Sequence, residues 1–148
     1  VHVARLRRAT RRNAGLFKMK LLMDTHTFLW LVEGHSRLSA AAAEALTESA
    51  NAVFLSVASV WELSIKTSRT SPQVQLNEPL DAFLIRWIPR YQIQLLPVDL
   101  SHALEVRRLP HHHSDPFDRL LIAQAQVEGL TLVSADRQIK NYNLPILW

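Results

Sequence analysis

Apolar residues along this chain fall in short bursts divided by polar junctions, and the spacing within the bursts alternates between that of a strand and that of a helix. Residues 20–23 (KLLM) form a run of strand length that stops at Asp24, and residues 25–32 then bring Phe28, Leu29 and Val32 to helical spacing. Ser39 before AAAAEALTESA predicts an N-cap and an alanine-rich helix, residues 52–55 a second strand, and Ser56 the cap of a helix reaching about residue 68. The polar, proline-containing SRTSPQVQLNEP predicts a loop, residues 80–91 a helix, 93–96 a third strand ahead of Pro97, and 101–108 a short helix. Beyond the loop LPHHHSDP, Asp115 and Pro116 occupy the N-cap and N1 positions of a helix that runs to Glu128 and is stopped by Gly129. LTLVSA then predicts a fourth strand, residues 136–141 a helical turn, and LPILW a fifth strand. Strands alternating with helices predict an α/β fold, a parallel sheet of four to five strands covered on both faces.

Composition narrows the class. A chain of 148 residues with 48% hydrophobic residues and three glycines is of a size for one globular domain and is neither disordered nor collagen-like. No apolar stretch approaches the roughly 18 residues that cross a bilayer, so no membrane partner is expected. The absence of cysteine excludes a disulfide framework, a thiolate nucleophile and a cysteine-based zinc site, and suits a reducing cytosol.

The charge is lopsided. Residues 1–18 hold Arg5, Arg7, Arg8, Arg11, Arg12 and Lys18 and no acid, which leaves the rest of the chain with 11 basic residues against 13 acidic ones. Three readings compete for this leader: a basic nucleic-acid arm, an arginine-rich targeting peptide, or residues upstream of the native start, in which case they are non-native or disordered. Met19, one residue before the first strand, and the opening valine support the last, so function is argued from residues 19–148.

In an open parallel sheet the functional crevice lies at the carboxyl ends of the strands. Asp24 follows the first strand, Asp136 the fourth, Glu62 stands in the helix after the second, and Asp118 in the first turn of the long helix. Each has a bland reading. Asp24 and Asp136 can be helix caps, Glu62 can pair with Lys66 at i+4, and Asp118 can sit at N3 of a helix that Asp115 caps. The conjunction favours chemistry, because converging carboxylates repel one another and are tolerated mainly when a divalent cation neutralises them. Oxygen ligands select a hard ion, Mg2+ or Mn2+, which can activate water for phosphodiester cleavage. Ser134 is placed to donate a hydrogen bond into the same site. His111, His112 and His113 are consecutive and point apart in any regular backbone, so they read as a polar loop, one that can touch phosphate, rather than a metal site. His26 reads as a helix-surface or packing residue.

LLMDTHTFLW, SVASVWELSIK, HSDPFDRLLIAQAQ and LTLVSADRQIKNY, in this order and spacing, resemble the PIN-domain family, specifically the VapC-type toxins of bacterial toxin–antitoxin pairs. The resemblance spans about residues 19–148 and leaves the leader unmatched. It implies a three-layer α/β/α fold, a Mg2+- or Mn2+-dependent ribonuclease acting on RNA in the bacterial cytoplasm, a homodimer, and a small cognate antitoxin that inserts a segment into the active-site groove. Asp24, Glu62 and Asp136 match the family's acidic positions. Asp118 matches the remaining one, with Asp115 as the alternative, because the family's aspartate-to-IA spacing is one residue shorter than Asp118 to Ile122. The four acids would hold one or two metal ions at which water attacks an RNA phosphate, leaving 5′-phosphate and 3′-hydroxyl ends. Arg119 and Arg137, each one residue after an acid, are candidates for phosphate contact or for surface pairing. A haloacid-dehalogenase-like phosphatase, which needs a second aspartate where this chain has His26, fits less well. A catalytically weak RNA-binding or scaffold module is the other alternative.

Overall fold

Leu21, Leu22 and Met23 have no exposed surface, which for consecutive residues of a strand requires that both faces be covered. The computed structural model describes residues 17–68, 70 and 72–148, so all of the basic leader but Phe17 and Lys18 lies outside the described residues. Strand β1 (Lys20–Met23) is central in a sheet of order β3-β2-β1-β4-β5, with β2 (Ala52–Ser56), β3 (Gln94–Leu96), β4 (Thr131–Val133) and β5 (Ile146–Leu147). Every neighbouring pair is parallel. Among the described residues six helices flank the sheet: α1 (Thr25–Glu33), α2 (Ala40–Thr47), α3 (Val57–Thr67), α4 (Leu80–Arg90), α5 (Leu100–Glu105) and α6 (Pro116–Glu128). This is the three-layer α/β/α arrangement that the alternation of strands and helices predicts.

The period-two alternation of the strands sorts the core into two clusters. Leu21, Met23, Val53, Leu55 and Val133 face α1, α2, α3 and α4 through Phe28, Leu46, Leu63, Phe83 and Ile88. Leu22 and Leu132 face the other way, against Leu121, Ile122 and Ala125 of α6 and against Ile139 and Tyr142. Each fully buried leucine contributes about 1.5–3 kcal/mol relative to exposure, and Leu22 sits where both layers depend on β1.

Several boundaries differ from the sequence pattern by a residue or more, and two of them change how an element begins or ends. The segment expected as one helix over 101–108 is α5 followed by a 3-10 turn (Val106–Arg108), and α5 begins at Leu100, where the Asp99 N–H is bonded by His102 Nδ1 at 2.9 Å. β4 ends at Val133, so Ser134 and Ala135 leave the strand and carry Asp136 to the rim of the sheet. Glycine is needed at Gly34 and Gly129, the C-caps of α1 and α6, where φ is 62° and 66°.

Candidate active site

β1 delivers Asp24 to the rim, where it is 7% exposed and does two jobs. Its Oδ1 accepts the Thr27 N–H at 2.8 Å and so caps α1, while Oδ2 accepts the hydroxyl of the fully buried Ser134 at 2.5 Å. Capping therefore uses one oxygen and leaves the other aimed between β1 and β4, the central neighbours whose carboxyl ends form the crevice. Glu62, on the inner face of α3 and 6% exposed, accepts the Thr25 hydroxyl at 2.5 Å on Oε1 and the Lys66 ammonium at 2.6 Å on Oε2. The ordinary i,i+4 partner is thus present. Asp136 caps the 3-10 turn (Arg137–Asn141) through Oδ1, which accepts the Gln138 N–H at 2.9 Å.

The two aspartates of α6 divide their work. Asp115 is the N-cap, its Oδ1 accepting the N–H groups of Phe117 and Asp118 at 2.8 and 3.2 Å. Among the described residues Asp118 caps nothing; its Oδ2 lies 3.2 Å from His113 Nε2, with Asp136 also close by. Asp24, Glu62, Asp115, Asp118 and Asp136 all line one cavity of about 240 Å³, in which Lys66 is the one lysine or arginine among the described lining residues. Crowded negative charge has a measurable consequence. Burial, then the adjacent Asp115, and less strongly Asp24 and Glu62 push the Asp118 carboxyl up to about 7, against a partial opposing pull from His113. A larger cleft of about 680 Å³ opens at the amino ends of β2 and β3, but among the described residues its ionisable lining is Glu48, Arg90 and Tyr91, so size does not mark the chemistry here.

Sequence reasoning missed His113. The histidine run splits as its geometry demands: His111 and His112 are exposed, and His113 turns inward at 9% exposure. His113, Asp118 and Asp136 offer atoms close enough for one ion. The tautomer argues against nitrogen ligation, however. His113 Nδ1 accepts the Asp115 N–H at 3.0 Å, which leaves the ring proton on Nε2, and Nε2 donates to Asp136 Oδ2 at 2.6 Å. His113 is a donor that holds carboxylates in place, the part outer groups play around metal ligands. The only sequence signal was its spacing, two residues before the Asp115 cap.

Arg119 requires a correction. Its guanidinium is buried and donates to the carbonyls of Pro110, Val106 and Leu109 at 2.9, 3.2 and 3.4 Å and to the Tyr142 hydroxyl at 3.2 Å, so it clamps the 106–113 loop and is not free to meet a phosphate. Tyr142 in turn accepts the N–H groups of His112 and His113 at 3.1 and 2.9 Å, which fixes the loop that presents His113. Arg137 is exposed next to Asp136. Thr25 and Ser134, through their bonds to Glu62 and Asp24, orient carboxylates in the same way as His113.

The donor set fits a hard divalent cation. Asp24, Glu62, Asp118 and Asp136 supply oxygen atoms only, and the excess negative charge is registered at Asp118.

Comparison with known proteins agrees with this geometry. The PIN domain family matches residues 21–144. The chain is similar to ribonuclease VapC22 of Mycobacterium tuberculosis (strain ATCC 25618 / H37Rv), with 28% identity over 128 residues that cover 84% of this chain and 93% of the relative. In fold it is similar to VapBC2 from Rickettsia felis, solved bound to a DNA fragment from its promoter, with a TM-score of 0.63 and 17% identity over 87% of this chain and 98% of that one. DNA-bound VapBC from Salmonella typhimurium gives a TM-score of 0.64 at 17% identity, over 87% and 97% of the two chains.

Proposed function

The chain belongs to the PIN domain family, and from that premise we propose that it is a metal-dependent endoribonuclease, the toxin of a toxin–antitoxin pair. The observation that carries this reading is the convergence of five carboxylates from four separate segments on one small cavity, with Asp118 held up to about 7 by burial and by the others. Asp24, Glu62, Asp118 and Asp136 are the proposed ligands of Mg2+ or Mn2+, and Asp115 is left as the cap. A divalent cation bound there would activate water and offset charge at the phosphate. The chain's own residues do the positioning. Ser134 aims Asp24, Thr25 aims Glu62, and His113 holds Asp136 while standing near Asp118. The product ends of such hydrolysis are a 5′-phosphate and a 3′-hydroxyl.

Three further parts of the reading concern partners and place. The VapBC neighbours in fold support a cognate antitoxin for this chain as well. A homodimer is supported by two apolar ridges at i,i+4 spacing, Val57 and Trp61 on α3 (43% and 60% exposed) and Leu100 and Leu104 on α5 (75% and 51% exposed). The segments that lead into these two helices are tied together by Gln124, whose Oε1 accepts the Ser56 hydroxyl and whose Nε2 donates to the Pro97 carbonyl. Among the described residues no helix is long and apolar enough to cross a membrane, and a bacterial cytoplasm is the proposed location.

One contact favours the alternative of a catalytically weak RNA-binding module: the Lys66 ammonium, 2.6 Å from Glu62, occupies charge that a cation would otherwise meet. One experiment separates the two. Antitoxin-free protein and Asp24→Asn, with matching circular dichroism, are compared on a structured RNA pool with Mg2+, Mn2+ or EDTA. Cleavage by wild type alone, and only with metal, supports the nuclease. Equal cleavage by both points to a contaminant, and none by either, over diverse RNAs, points to the binding module.

A further inference from the structure

One wall of the cavity is aromatic, and the proposed hydrolysis makes no use of it. His26 and Trp30 stand one turn apart on α1 and both line the cavity that holds the carboxylates. His26 is exposed, and its ring centre lies 5.7 Å from that of Trp30 at an interplanar angle of 33°. Trp30 is half-buried and is itself supported by His35, stacked at 5.9 Å and 27°, and by Trp148 at 5.8 Å and 58°. The four rings form a tier that leads from the carboxylates along the outer side of α1. The inner end of the tier is anchored, since Trp148 packs against the same core as Phe28, Leu29 and Leu31, while His26 at the outer end stays exposed.

We propose that this tier is a stacking platform for the nucleobase next to the scissile phosphate, with His26 presenting the outer face, so that the substrate is single-stranded RNA and a purine is favoured there. The inference rests on the nuclease reading of the cavity. A base inside a duplex has both faces covered, whereas an unpaired base can lie on an aromatic ring, and larger rings stack more strongly. Because Trp30 already backs His26, little freedom remains to be lost on binding. The polar edges of the exposed His26 ring argue against an apolar peptide as occupant, since such a partner would cover its nitrogens without offering them hydrogen bonds. A nucleotide stacked on the ring leaves those edges to water.

The test uses fluorescein-labelled single-stranded adenylate nonamers, intact or with one abasic residue at each position in turn, bound in Mg2+ to protein carrying Asp24→Asn so that no cleavage intervenes. Adding His26→Ala is expected to weaken binding of the intact nonamer about 5- to 30-fold, His26→Phe to restore it, and an abasic residue at one position to erase the difference between the variants. A His26→Ala effect of the same size on every abasic oligomer would mean a purely structural role and would overturn the platform, as would no effect at all. Loss of neutralisation by the cognate antitoxin with RNA binding unchanged would assign the tier to a protein partner and overturn it too. Cleavage by wild-type protein, measured in parallel, keeps the two readings apart. Metal-dependent cleavage with binding indifferent to His26 removes only the platform, and absence of both cleavage and binding removes the nuclease with it.

Discussion

His102 and His113 are built alike. Each takes a backbone N–H on Nδ1, from Asp99 at 2.9 Å and from Asp115 at 3.0 Å, and each meets a carboxylate with Nε2, Glu128 at 2.7 Å and Asp136 at 2.6 Å. Their surroundings differ. His102 is fully buried between α5 and α6, and the two acids near it, Asp99 and its partner Glu128, both reach solvent. His113 faces Asp118 as well as Asp136, with Asp24, Glu62 and Asp115 lining the same cavity. The histidine–carboxylate pair is therefore a structural device that this fold uses twice, and what distinguishes the rim is the excess of acid around the second copy.

Removing that excess should have the largest effect. Asp118→Asn is expected to lower metal-dependent cleavage about a thousandfold, several kcal/mol of lost metal-assisted stabilisation. The same substitution should raise the melting temperature of the metal-free protein at pH 8, because it deletes a charge that burial and neighbouring acids disfavour. Retained cleavage, or a lower melting temperature, would remove the distinction between the two clusters.

Alanine at the two histidines sharpens the contrast. His102→Ala should cost about 2–4 kcal/mol of unfolding free energy in urea titration, since it opens a cavity and strips the Asp99 N–H of its acceptor, while cleavage per folded molecule stays unchanged. His113→Ala should do the reverse, reducing Mn2+ affinity by about 10- to 100-fold in calorimetry with a smaller loss of stability. Equal behaviour of the two variants would make both clusters structural.

Acidity offers a finer cut. The Asp118 carboxyl sits at about 7 in the folded protein against an ordinary 3.8, so between those pH values the folded state keeps a proton that the unfolded chain has released. In EDTA, stability is therefore greatest at the acid end of this window and falls as pH rises toward 7, by about 2 kcal/mol once screening of a partly exposed group is allowed for. Asp118→Asn should flatten that decline, and metal affinity should weaken below pH 7 as protons compete for the site. A wild-type profile parallel to that of Asp118→Asn would contradict the assignment. The smallest expected change is Glu128→Gln, about 0.5–1 kcal/mol with no effect on cleavage, because the carboxylate is partly hydrated.

Much of the site was legible before the fold was seen. Asp24 and Asp136 stand where strand periodicity stops, and Glu62 is the one ionised residue of the stretch 51–65, so position alone raises each above its neighbours. Arg119 was read wrongly, because sequence places it beside Asp118 and says nothing of which way a guanidinium turns. Here it turns toward the carbonyls of Val106, Leu109 and Pro110, at the end of the 3-10 turn and in the loop beyond it. His113 could not be told from His111 and His112, since the selection depends on Tyr142, 29 residues further along, whose hydroxyl holds the loop.

Period and punctuation along the chain determine the order of elements, the parallel sheet, the caps and the set of acids, because these follow from interactions within a few residues. Contacts between residues far apart in sequence decide the rest. Which carboxylate is left without a cap, which of three histidines turns inward and whether an arginine binds or braces depend on how β1, β4 and α6 come together, and on the charge that they crowd into one cavity.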